Sequence, residues 1–426
     1  MNSNRFLPIL TMSLRRGFLR SILLGALGLL QLTGWAQEME VSVAGHSAEA
    51  MSNAVFSADE KVMVSEAWGN QLVIWDTSTF HVLTTIQIEN PTTNSSSGQW
   101  ALSPDGRTVV TWSEARHRLS LLNAVNGKEI ASWDWPSDHP RNAHLQIARS
   151  PVFRADGKVE MIVMDRNDEG RPEPERGRYQ LYAVVLDLSL GGALIKELPA
   201  PLRLGDGVFV GQLFGNGRYQ LAQHDTAFEV FDIGTGKRVA YNIQRKTDDR
   251  QLEWLQFGDE SAVIVSRTSG KWVVSRFDYA SGATINRGTL PIDSECTPLD
   301  TRANGRVLLM TTGKQCKDLA VYDLQSLRKI AAIAGAGEGG AVALSSDGRW
   351  LAGNSCNDWQ KSDESAGCKV FAYDLTAGRM RVEWPVTAES IGGESAIVMS
   401  PNGTFVAIGE RLMVWNTMSG RQVVPN

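Results

Sequence analysis

The sequence predicts an all-β chain assembled from eight copies of one four-stranded antiparallel unit. Three observations predict it. One turn recurs: Ser103-Pro104-Asp105-Gly106 returns as Ser346-Asp347-Gly348, Pro401-Asn402-Gly403, Ala155-Asp156-Gly157, Gly215-Asn216-Gly217 and Ala303-Asn304-Gly305, and in worn form as Ala58-Asp59-Glu60 and Asp259-Glu260. Downstream of each turn, a strand-like run ends in an aromatic or aliphatic residue followed by Asp or Asn, from Trp75-Asp76 and Leu122-Asn123 through Tyr373-Asp374 to Trp415-Asn416. Short apolar runs rich in β-branched residues flank both signals, and the shortest repeats match the roughly 40–45-residue period of stacked β units.

Each element has a local reason. Ser103 suits the first position of a type I turn, Pro104 presets the second, Asp105 follows, and Gly106 accepts the positive φ that closes a short hairpin. First strands precede the turn, as at 100–102, 342–344 and 396–399. Second strands follow it, as at 62–65, 108–112, 307–311 and 405–408. The third ends at the Asp or Asn. A small turn such as Ala124-Val125-Asn126-Gly127 then leads to a fourth strand, as at 81–86, 129–133 and 330–333. Eight such units are the signature of a β-propeller, each unit one blade. On these motifs the chain resembles the WD-repeat and YVTN-type propeller superfamily over residues 40–426, as a divergent member lacking most of the Gly-His dipeptides that open many WD blades. Seven blades is the alternative, if the weakest unit, 252–290, merges with a neighbour. Residues 40–43 alternate like a strand and are expected to latch the ends by pairing with the last blade, a role for which 421–424 competes. The aromatic-Asp pairs recur too often to be catalytic carboxylates and are expected to be structural.

The first 36 residues differ in kind. They carry Arg5, Arg15, Arg16 and Arg20, no acid, an apolar run over 22–32, and Gly34 and Ala36 before Gln37. That is the pattern of a cleaved signal peptide, its apolar run too short for a permanent span. Arg15-Arg16-Gly17-Phe18-Leu19-Arg20 resembles the twin-arginine export motif, with Leu14 in the usual Ser/Thr position and Arg20 in place of Lys. A general secretory leader is the alternative. The expected organisation is a signal peptide over 1–36 and one propeller over 37–426, in the periplasm or secreted. Removing the leader takes the formal charge from −5 to −9. An acidic surface repels phosphate backbones and offers no basic patch to anionic lipid, so neither nucleic acid nor a stable membrane anchor is expected.

Four cysteines in an exported chain imply disulfides. Cys356 and Cys368 bracket an insertion in the seventh unit; Cys296 and Cys316 fall at one edge of the sixth, so the expected pairs are 296–316 and 356–368. No metal site is expected, because no cysteines have close ligand spacing and His139 and His144 sit in a polar connector. No nucleophile elbow, phosphate loop or zincin helix is present, and no cofactor or catalytic residue is assigned. Leu121 to Trp133 resembles the tryptophan-docking repeat of eight-bladed quinoprotein dehydrogenases, but 231–241 lacks the Trp and the adjacent-cysteine pair of those enzymes is absent. A propeller subunit of a periplasmic redox enzyme, quinoprotein or amine-dehydrogenase-like, is therefore the alternative function, with carbohydrate or cell-wall binding a third.

In a propeller the second-to-third connections share one face with the connections between blades. The only large second-to-third insertions are 165–178 and 354–368, and the connectors 89–98, 134–146 and 385–394 open onto the same face. Long loops on a rigid scaffold are where recognition resides. Trp68, Arg116, His117, Trp135, His139 and Trp359 are the candidate binding residues there, since tryptophan and arginine anchor interfaces. The expected function is an exported protein-binding or scaffold module whose partner is another periplasmic protein.

Overall fold

The computed structural model describes residues 51–424, except for 68–70, 89–98, 137–144, 155–156, 166–179, 188–191, 198–208, 215–218, 225–226, 233–236, 239–249, 258–260, 269, 280, 293–295, 297, 303–306, 314–315, 337–340, 356–366, 388–396 and 409–411. Among the described residues every regular element is a strand, and the strands form eight four-stranded antiparallel sheets over 51–87, 100–134, 145–197, 209–238, 250–289, 298–333, 342–386 and 397–424. In each, the four strands pair in chain order. The unit at 252–290, weakest in sequence, is a sheet of its own, Arg250–Phe257 to Thr284–Thr289. The signal-peptide boundary and residues 40–43 lie outside the described residues. The other candidate latch, Arg421–Val424, is the fourth strand of the last sheet.

Packing follows from strand alternation. Residues of one strand point alternately to opposite faces, and here both faces meet a neighbouring sheet. Val307 and Leu309 pack towards the seventh sheet with Leu344, Leu351 and Phe371, whereas Leu308 and Met310 pack towards the fifth with Val265, Trp272 and Val274. A middle strand buried on both sides needs apolar residues throughout, which is why Val307–Thr312 reads VLLMTT and is buried over its first five positions. Fourth strands such as Glu129–Asp134 are exposed along nearly their whole length and polar accordingly.

Those outer edges are interrupted in a repeated way. The pairing of third and fourth strands skips one residue, Leu83, Ile130, Arg287, Ile330, Arg381 or Val423, in six of the sheets. Each is a β-bulge, which bends the strand and blunts an edge that would otherwise template pairing with another chain.

The recurrent turn forms as its chemistry dictates. In the second sheet Gly106 N donates to Ser103 O at 2.9 Å, and the Ser103 hydroxyl both donates to Asp105 Oδ1 at 2.6 Å and accepts from Thr108 N at 2.9 Å. The seventh repeats the set with Ser345, Asp347, Gly348 and Trp350. The Ser103 hydrogen bond holds the Asp105 carboxyl below the usual aspartate range. The residue after each third-strand aromatic caps the next turn: Asp76 Oδ1 accepts from Ser78 N at 2.8 Å, and Asn416 Oδ1 from Met418 N at 3.0 Å and Ser419 N at 2.8 Å. These carboxylates and amides are structural, as their recurrence implies.

Candidate functional site

With four antiparallel strands in chain order, the first-to-second and third-to-fourth connections emerge at one end of every sheet and all others at the opposite end. At the turn end the turns of sheets 1 and 2, and of sheets 7 and 8, are bonded to each other. Ala58 N donates to Pro104 O at 2.8 Å, joining the turns of sheets 1 and 2, and Ser346 N to Pro401 O at 2.9 Å, joining those of sheets 7 and 8. Ala124 N reaches back to Arg107 O and Leu375 N to Arg349 O, both at 2.9 Å, tying the two turns of a sheet together. Main-chain groups spent on neighbours in this way are not free for a ligand.

The loop end is asymmetric. Asp165 to Gln180 in the third sheet and Ser355 to Cys368 in the seventh are the long second-to-third connections, against Ala67 to Gln71 in the first and His224 to Ala227 in the fourth. The short connection of the second sheet is described in full. Arg116 N donates to Ser113 Oγ at 3.3 Å, and His117 adopts a left-handed backbone, φ 48°, while its carbonyl accepts Trp135 N at 2.9 Å. Arg116 is exposed and His117 half-buried. Burial lowers the His117 pKa against the opposing pull of Glu114, which favours the uncharged imidazole.

Trp135 departs from the expectation of an exposed anchor. It is 5% exposed, edge-on to Trp133 at 5.8 Å and to Tyr182 of the third sheet at 5.6 Å, within the cluster that packs sheets 2 and 3 together. Just past the end of its outer strand, its ring folds inward because the gap between two sheets offers more apolar surface than solvent does. Trp68, His139 and Trp359 lie outside the described residues. Of the six candidates, the structure therefore brings Arg116 and His117 together on the surface at this end.

Other residues at the junctions gave no sequence signal. The Glu66 carboxylate, fully buried, accepts the Trp100 indole N–H at 2.9 Å across sheets 1 and 2. Trp384, in the register position of Trp133, stacks on Trp415 of the last sheet with centroids 5.3 Å apart and donates its N–H to Gly420 O at 2.9 Å. The docking pattern readable once in the sequence thus recurs in space between the seventh and eighth sheets.

Cys296 and Cys316 form a disulfide with Cα atoms 5.4 Å apart, the expected pair, at the loop end of the sixth sheet. Cys368 is also disulfide-bonded; Cys356, its expected partner, lies outside the described residues. Among the described residues no three His, Cys, Asp or Glu side chains gather as a metal site.

Solved structures share this architecture. The WD40 domain of SCAP from fission yeast is similar over 86% of this chain and 94% of its own, at 13% identity and a TM-score of 0.51. The C-terminal WD40 domain of Sif2 is similar over 85% and 93%, at 12% identity and a TM-score of 0.53. No family model and no curated protein matches the chain. The fold is a β-propeller with four-stranded antiparallel blades.

Proposed function

We propose that this chain is an exported scaffold that binds another protein through its loop end, in the periplasm or outside the cell. The observation that carries the reading is the asymmetry between the ends. One end is built of short turns, those of sheets 1 and 2 and of sheets 7 and 8 bonded to each other, and the other holds both long second-to-third connections and a disulfide. A propeller closes with short turns, so chain beyond that minimum serves something other than closure. Exposed Arg116 beside His117 gives this end a fixed cation and a hydrogen-bonding ring whose uncharged form is favoured, a pair suited to a polar protein surface. The leader and the four cysteines favour an oxidising compartment.

The test exchanges the ends. Replacing 166–179 and 357–366 with short Gly-containing turns should leave thermal stability nearly unchanged and abolish capture of the partner from extract of the native compartment. Arg107→Ala with Lys128→Ala, both exposed at the turn end, should leave capture intact. The reverse result would move the functional face to the turn end.

A further inference from the structure

The turn end carries a pattern that blade 1 breaks at both of its positions; in blade 6 Leu327, φ 58°, breaks it at one. Both turns of a blade finish in a left-handed residue, usually glycine: Gly106, Gly348 and Gly403 in the first turn, Gly127, Gly378 and Gly420 in the second. Several of these glycines face the preceding blade at close range. A Cβ on Gly106 would stand 3.0 Å from Ser57 of blade 1, one on Gly127 3.2 Å from Thr84 of blade 1, and one on Gly403 2.3 Å from the Trp350 ring of blade 7. In blade 1, whose preceding neighbour is blade 8, the same two positions hold Glu60, φ 58°, and Phe80, φ 55°. Both are buried, at 8% and 7% exposure.

Both side chains cross to blade 8. The Glu60 carboxylate Oε1 accepts Asn402 N at 2.5 Å, and Phe80 meets Phe405 edge-on at 5.2 Å, beside Phe56 stacked on the same ring at 6.0 Å. The Glu60 main chain is anchored within its own blade, where its carbonyl accepts the Thr77 hydroxyl. A further difference explains the carboxylate. Between blades 1 and 2 and between blades 7 and 8 the turns are joined through the N–H of the residue after the serine, Ala58 or Ser346. In blade 8 that residue is Pro401, which, like Pro104 in blade 2, has no N–H to give. The donor moves to Asn402, and a side chain from blade 1 comes out to meet it.

We propose that Glu60 and Phe80 form a side-chain clasp that closes the ring between its last and first blades, and that this junction opens before the junction of blades 7 and 8. Two residues take a conformation that L side chains disfavour, and each has a contact across the seam that glycine could not make. The described strands show no exchange between the termini, because blade 8 takes all four of its strands from 397–424. Closure there rests on side chains where the junction of blades 7 and 8 has a main-chain bond and Gly403 seated on Trp350.

Hydrogen exchange of the full-length protein, read by mass spectrometry, tests the clasp. Peptides covering 51–60 and 400–405 should exchange faster in the wild type than 342–350. Glu60→Gly with Phe80→Gly should accelerate the first two by about tenfold or more while leaving 342–350 unchanged. Glu60→Gln keeps an acceptor and should resemble the wild type, whereas Glu60→Ala should not. Should restoring the two glycines slow exchange at the seam, the residues contribute strain alone and the proposal is overturned. Equal acceleration in all blades, or a wild-type seam as protected as 342–350, overturns it as well.

Discussion

Gly403 and Gly157 occupy the same position of the same turn, with φ 76° and 79°, and differ in what surrounds them. A Cβ on Gly157 meets nothing within 4 Å; one on Gly403 meets three atoms of Trp350 between 2.3 and 2.8 Å. Gly157→Ala should therefore cost only the left-handed backbone penalty, about 1 kcal/mol. Gly403→Ala adds overpacking against a buried ring that also carries the Arg349 guanidinium, 5.1 Å from its centroid, and should cost roughly 3 kcal/mol in total. Urea unfolding of the two variants measures the difference, and equal losses would show that the blade 7–8 junction yields without strain. Residue type and position were readable from sequence for both glycines. The cost was not, because Trp350 belongs to another repeat.

At the scale of elements, the second and third strands are buried on both faces and the fourth is not, so a four-strand unit is recognisable by apolar runs followed by a polar one. The sixth blade adds a covalent tie between its first strand and the end of its second. Cys296 and Cys316 are 20 residues apart in sequence, a loop that corresponds to roughly 3 kcal/mol in the chain-entropy model. Replacing both by Ala should lower unfolding stability by up to that amount, and reduction of the wild type should reproduce the loss. A variant as stable as the oxidised parent would mean that the blade's packing already holds the edge. The bulges at Ile130 and Ile330 belong to this scale also. They expose these isoleucines, at 58% and 39%, and interrupt the edge to which a foreign strand would have to pair.

For the whole molecule, the proposed function depends on a ring that is closed before its loop end can present a surface. A propeller has one seam where sequence neighbours are absent, and here that seam lies between residues more than 300 positions apart. The proposed export route fits such a molecule, since twin-arginine transport carries chains already folded. Changing Arg15 and Arg16 to Lys should leave folded precursor in the cytoplasm, detected by fractionation and the unprocessed mass. Undiminished export of that variant would assign the leader to the general secretory route.

The sequence by itself determined the repeat, the order of strands, the turn chemistry and the Cys296–Cys316 pair, because each depends on residues a few positions apart or on the period that separates copies. Ser103, Asp105 and Gly106 write their own turn, and Asp76 caps its own. Tertiary structure decided everything that passes between repeats. It turned Trp135 from an expected surface anchor into packing between blades 2 and 3, placed Trp384 on Trp415, buried Glu66 against Trp100, and set Glu60 and Phe80 across the closing seam. The physical reason is common to all of them. Whether a side chain is inside or outside depends on the distance to the next sheet, and that distance is set by the closure of the ring rather than by the residues on either side in sequence.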